Sequence, residues 1–231
     1  MRVLTSLALV LVGCTDGPNP DTVVDGLTVL AAALEPTQPT PGQSFVVTAT
    51  VGDPDGGAVV AAWTCEGDCE TASAPVDVDT AELALPSEAP GTLWVLACSP
   101  GVCDPTSLGD EVRRDPVSWM ATMPLDGVFL ASRALVAPVG EPPPNPTVLE
   151  APELPAAAPD APAELTFVVP GAVTAYGFAT AGGFERASYD VASSGEVTLS
   201  WFPPEEGEQG RVWVVFRDEL GGTAVWAAPT P

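Results

Sequence analysis

Four cysteines, Cys65, Cys69, Cys98 and Cys103, are the side chains of the first half most committed to a particular chemistry. Their spacing suits two disulfides, and it also comes close to that of a four-thiolate zinc site. Carboxylates are the other abundant group, with 31 Asp and Glu in all. The turn Asp53-Pro54-Asp55-Gly56-Gly57, followed later by Asp77 and Asp79, offers oxygen ligands of the kind calcium takes, with Asp53 and Asp55 foremost. It lacks the ligand density of an EF-hand loop. Adjacent acids at Glu205 and Glu206, and at Asp110 and Glu111, point to an acid-pair hydrolase only if two carboxyl groups face each other across a cleft. In a chain this acidic such neighbours arise freely, and they read as solvated loop residues.

Absent residue types narrow the chemistry further. The chain has no histidine, and all seven of its basic residues are arginine. That removes the imidazole base, His metal ligands, Schiff-base lysine and the Ser-His-Asp family of mechanisms. No P-loop, dinucleotide fingerprint, Gly-x-Ser-x-Gly elbow or His-Glu-x-x-His pattern occurs. A formal net charge of −24 repels nucleic acid and anionic headgroups, so no nucleic-acid partner is expected. The expectation is a protein that is not an enzyme, has no cofactor, and works through a binding surface. Of the six tryptophans, Trp63, Trp94, Trp201, Trp213 and Trp226 fall within strand patterns and read as core. Trp119 stands outside them and is the one candidate for an exposed binding aromatic.

Residues 1–13 carry one charge, Arg2, and then an apolar run that falls short of the roughly 20 residues needed to span a bilayer. They read as a signal peptide. Leu11-Val12-Gly13-Cys14 resembles the lipobox of bacterial lipoproteins, which implies cleavage before Cys14, diacylglycerol on its thiol and fatty acid such as palmitate. Buried acyl chains contribute about 0.8 kcal/mol per CH₂, so several of them hold a protein stably to a membrane. Thr15 replaces the aspartate that retains lipoproteins at the inner membrane, so the resemblance implies the outer membrane. Residues 14–26 are polar and turn-rich and read as a flexible lipidated tether with a reach of roughly 20 Å. The partners expected are the membrane, through lipid, and an envelope protein or polysaccharide; adhesion or surface decoration is a second binding role of the same kind.

The elements that must position these residues read as strands. Proline is spread throughout, and no stretch sustains an amphipathic helical period. Phe45, Val47, Ala49 and Val51 alternate with Thr48 and Thr50; Leu165, Phe167 and Val169 alternate with Thr166 and Val168; Val197, Leu199 and Trp201 alternate with Thr198 and Ser200. Further runs lie at 58–65, 81–85, 92–98, 128–136, 211–217 and 223–227, the last two flanking the hairpin loop 218–222. The expected fold is all-β: domain 1 at 27–137 with two disulfides, a stiff Pro-rich linker at 138–146, and domain 2 at 147–231, each an antiparallel sandwich.

Val29-Leu30-Ala31, Pro41-Gly42-Gln43-Ser44 opening a strand, Asp53-Pro54-Asp55-Gly56 and Trp63 are together similar to immunoglobulin-like domains of the PKD or cadherin-like kind. The segments 178–184 and 212–222 resemble the carboxyl-terminal part of uncharacterised lipoproteins of myxobacteria and their relatives. That family implies an envelope location and no established activity. One departure is Gly177, where an aromatic residue is expected before Phe178. In an immunoglobulin-like sheet the strands ending at Cys65 and Cys98 are antiparallel neighbours, so these two cysteines stand roughly 20 Å apart at about 3.4 Å per residue. A disulfide tolerates no more than about 7 Å between Cα atoms, which favours the local pairs Cys65–Cys69 and Cys98–Cys103. An exported chain meets an oxidising compartment, which favours disulfides over zinc.

Overall fold

The computed structural model describes residues 18–67, 69–78, 82–84, 91–123, 126–135, 140–155 and 162–231. Cys14, the lipobox and Asp79 lie outside them. The fold is all-β, built from antiparallel sheets in two tandem sandwiches. In the first, β1 (Thr28–Glu35), β2 (Ser44–Gly52) and β6 (Glu82–Ala84) form one sheet in that spatial order. The opposing sheet runs β4 (Thr71–Ala72), β3 (Val59–Glu66), β7 (Gly91–Cys98) and β8 (Val128–Leu135), with β5 (Val76–Asp77) also paired to β3. In the second sandwich, β12 (Tyr189–Asp190), β10 (Thr174–Ala179), β14 (Arg211–Arg217) and β15 (Thr223–Pro229) face β11 (Gly183–Phe184), β13 (Glu196–Phe202) and β9 (Ala163–Val168).

Alternation along each strand explains the two cores. Phe45 and Val47 of β2 meet Leu34, Ala62, Leu83, Leu93 and Val95 inside the first sandwich. Leu165 and Phe167 of β9 and Leu199 and Trp201 of β13 meet Val212, Val214 and Phe216 inside the second. Three strands do not alternate in polarity, because both of their faces are covered, and a strand covered on both faces reads as a continuous apolar run. Ala62 of β3 and Leu93 and Val95 of β7 face the first core. Trp63, Leu96 and Cys98 of the same strands pack on the other side beneath Leu108, Trp119 and Met120. In β14, Trp213 and Val215 turn away from the second core toward Leu30 and Ala31 of β1, joining the two sandwiches by an apolar seam.

A bulge makes that seam possible. β1 and β2 stay in register except between Val29 and Ala31, where Leu30 is the extra residue. One inserted residue turns two consecutive side chains to the same side. Leu30 and Ala31 therefore both meet the second sandwich, while Val29 and Ala32 on either side pack into the first core. Burying each large side chain here contributes about 1.5–3 kcal/mol.

Three expectations need correction. The polar segment 14–26 is not a free tether over residues 19–24. The Asn19 and Val24 amides donate to the carbonyls of Phe184 (2.7 Å) and Ala179 (2.7 Å). The buried Thr22 hydroxyl accepts from the Phe184 amide at 2.9 Å. Val24 fills the seam beside Leu30. Unpaired backbone groups on β10 and β11 make this docking favourable despite the segment's turn-rich composition. Secondly, two short helices occur where no helical period is visible, α1 (Asp110–Arg114) and α2 (Pro116–Met120). At five residues each they are too short to show a period and are held by caps. Asp115 accepts from the Ser118 amide at 3.1 Å, and bonds from Ser118 hold its carboxyl below the usual range. Thirdly, the Pro-rich segment does not act as a spacer holding the sandwiches apart, since Asn145 bonds to both of them.

Gly177 also finds its reason. A Cβ there would stand 2.5 Å from the Phe184 ring. Ala175, Gly177 and Ala179 form the small-residue floor on which that fully buried ring lies. The Gly177→Ala variant is expected to lose about 1–3 kcal/mol by overpacking, read as a lower urea midpoint with an unchanged slope. Adding Phe184→Leu should make the two penalties less than additive; strict additivity would show that the ring does not rest on Gly177.

Candidate functional site

The sequence-predicted residues do not converge on one site. Cys65 pairs with Cys69 and Cys98 with Cys103 at disulfide distance, with Cα separations of 4.8 Å and 5.6 Å. β3 and β7 are antiparallel, with Cys65 opposite Thr92 and Cys98 opposite Val59, so Cys65 and Cys98 lie at opposite ends of the ladder. Among the described residues no three Asp, Glu, Cys or His side chains are grouped so as to hold a metal ion. Asp53 spends its carboxylate on the Ala58 amide at 2.9 Å, closing its own turn, and Asp55 is exposed. Asp110 pairs with Arg113 across one turn of α1, with Glu111 exposed beside it. Glu205 and Glu206 occupy an exposed turn between β13 and β14.

Trp119 differs from its expected role. It is half-buried and packs against the cluster of Trp63, Leu96 and Cys98. The cause is Arg113, which donates to the Ala72 and Ser73 carbonyls, while its own carbonyl accepts from the Trp63 indole at 3.2 Å. These bonds pull α1 onto the sheet, and α2 follows, laying Trp119 over the apolar face rather than presenting it to solvent.

The surface that does combine exposure with apolar character lies where the linker runs along the second sandwich. Leu149, Val173 and Leu220 are 65%, 37% and 51% exposed and line one open groove of about 490 Å³. Its floor and walls include Pro143, Pro144, Pro146 and Pro170. Asp218 and Glu219 also line it. Isolated exposed apolar residues need no explanation, whereas a contiguous set of them marks an interaction surface. Strand signals pointed away from this region, since it is made of loops and linker. The legible signal was the Pro-rich run itself together with the apolar Leu149 that follows it.

Hydrogen bonds hold the groove in shape. The Asn145 amide group donates to the Leu34 carbonyl of β1 at 2.8 Å and to the Glu35 carboxylate at 3.2 Å. Its oxygen accepts from the Thr223 amide of β15 at 2.8 Å. One side chain thus ties both sandwiches to the linker. Thr37 donates to the Pro143 carbonyl at 2.7 Å. On the hairpin, Asp218 accepts from the Leu220 and Gly222 amides at 2.8 and 2.7 Å, the self-capped turn that aspartate favours. Gly221, at φ +87°, completes it, and Gln38 reaches over to donate to the Leu220 carbonyl at 3.2 Å. Leu220 is therefore presented outward from a fixed loop.

No family model matches the chain, and no curated protein matches it.

The Asn145→Ala variant leaves the Leu34 carbonyl and Thr223 amide without this partner and is expected to cost about 1–3 kcal/mol. Denaturant unfolding measures the loss, and hydrogen exchange at the Thr223 amide should speed up if the clamp is as described.

Proposed function

We propose that this chain is an exported envelope lipoprotein, anchored to the outer membrane by lipid on Cys14, that binds a partner protein and carries out no chemistry of its own. The observation that carries the binding role is the groove in which Leu149, Val173 and Leu220 are exposed together among four prolines. A rigid, shallow, proline-lined surface suits an extended apolar segment. Its walls are preformed, so little ordering entropy opposes binding. Asp218 and Glu219 in its lining, in a chain of net charge −24, favour a segment flanked by basic residues. A protein partner fits better than polysaccharide because the groove lining includes no aromatic platform for a sugar ring. The absence of histidine and lysine and the scattered positions of the acid pairs support a non-enzymatic role over an acid-pair hydrolase.

Photo-crosslinking in the native envelope separates these readings. A crosslinker placed at Leu149 or Leu220 is expected to capture the same partner. One at Val117, which is 62% exposed but outside the groove, should capture none. Equal capture from all three positions would count against the groove. The anchor is tested on its own: fatty-acid labelling of the chain should vanish in Cys14→Ser, and labelling that persists would refute it.

A further inference from the structure

Next to the β14–β15 hairpin, a cleft of about 310 Å³ opens between the two sandwiches. That is the lower end of the range for small-molecule sites, about 300–1,000 Å³. Much of its wall is apolar and comes from Val29, Ala32, Val95 and Ala131 of the first sandwich. Into the same cleft come two arginines, Arg133 from β8 and Arg217 from the end of β14. Seven arginines face 31 carboxylates in this chain. Even so, among the described residues the only ion pair is Arg113 with Asp110, and neither cleft arginine has a carboxylate within pairing distance.

What holds each guanidinium leaves donors to spare. Arg133 donates to the carbonyls of Ala32 at 3.4 Å and Thr37 at 3.3 Å, both long contacts, and a guanidinium carries five N–H groups. Gly221 lets the hairpin close over it, since a Cβ there would stand 2.8 Å from the Arg133 Nη2. Arg217 rests over the Tyr176 ring, 5.3 Å from its centroid, which fixes the guanidinium without using its N–H groups. Asp218 is the nearby carboxylate whose charge favours the Arg133 cation, but its Oδ1 is committed to two backbone amides of its own loop. Burial first, and then the neighbouring Arg217, push the Arg133 pKa down, with Asp218 acting the other way. A guanidinium stays protonated in proteins, so the repulsion cannot be relieved by losing a proton. An anion relieves it.

We propose that this cleft binds a small organic acid, with its carboxylate between Arg133 and Arg217 and a short hydrocarbon body against Val29, Ala32 and Ala131. The two arginines recognise the head; the apolar wall recognises the body. The proposal does not depend on the groove or on its partner.

Calorimetric titration of the full chain in about 0.15 M salt, where exposed charges are screened beyond about 8 Å, tests it. Hexanoate carries head and body, inorganic phosphate the head alone, and 1-hexanol the body alone. Saturable binding of hexanoate is expected, weakened about tenfold or more in Arg217→Gln, since hydrogen bonds to a charged group account for at least that much. Arg217 is exposed, and its melting temperature in the Gln variant serves as the folding control. Arg133→Lys, which keeps the charge but not the fork, should also weaken hexanoate. Hexanoate bound equally by wild type and Arg217→Gln would overturn the proposal, as would hexanol binding as tightly as hexanoate. Phosphate binding as tightly as hexanoate would overturn the organic acid in favour of a bare oxyanion.

Discussion

The apolar seam between Trp213 and Val215 of β14 and Leu30 and Ala31 of β1 is the contact on which the rest of this molecule depends. Tandem domains joined only by a linker and a polar interface move relative to one another by default. Here the central strand of one sandwich has its outer face buried by the first strand of the other. The cleft draws residues from both sides of this junction, and the groove forms where the linker runs along the second sandwich. The cleft would not keep its shape if the seam opened. Asn145 adds direction to this non-directional contact, because its amide group satisfies one backbone group of each sandwich. Apolar burial supplies the attraction, and the hydrogen bonds select one relative orientation.

The first sandwich solves a different problem at its far end. The sheet of β3 and β7 would expose Trp63 and Leu96 on its outer face, and two five-residue helices cover them. Helices that short have no stability of their own. They persist because Arg113 is bonded to two carbonyls of the strand edge region and because Asp115 caps the second helix. The Cys98–Cys103 pair closes the loop leading into them. Packing, caps and covalent closure each supply what a short helix lacks.

How much of this was legible in the sequence follows from periodicity. Where one face is buried and the other is wet, as in β2, β9 and β13, the period of two is plain and the strands were readable. β14 was readable as a strand, and its unbroken run from Val212 to Phe216 carried a second message, that its outer face is also covered. What covers it was not readable, because one residue inserted at Leu30 shows no mark in an apolar run. The docking of residues 19–24 was hidden for a related reason: its bonds depend on carbonyls of Ala179 and Phe184, more than 150 residues away, and its composition reads as turn. Gly177 looked like a departure because its partner, the Phe184 ring, belongs to another sheet. The groove was the least legible part, since its apolar residues sit in separate loops of the second sandwich and become neighbours only once that sandwich folds and the linker lies along it.

Docking of the N-terminal segment has a mechanical meaning. Tension applied ahead of Asn19 does not reach β1 first. It is borne by the bonds of Asn19, Thr22 and Val24 to the Phe184 and Ala179 backbones, and so enters the molecule through the second sandwich. The first sandwich follows it in sequence yet stands behind it in the path of the force. A pull on the amino-terminal side therefore loads β10 and β11 before any strand of the first sandwich is strained.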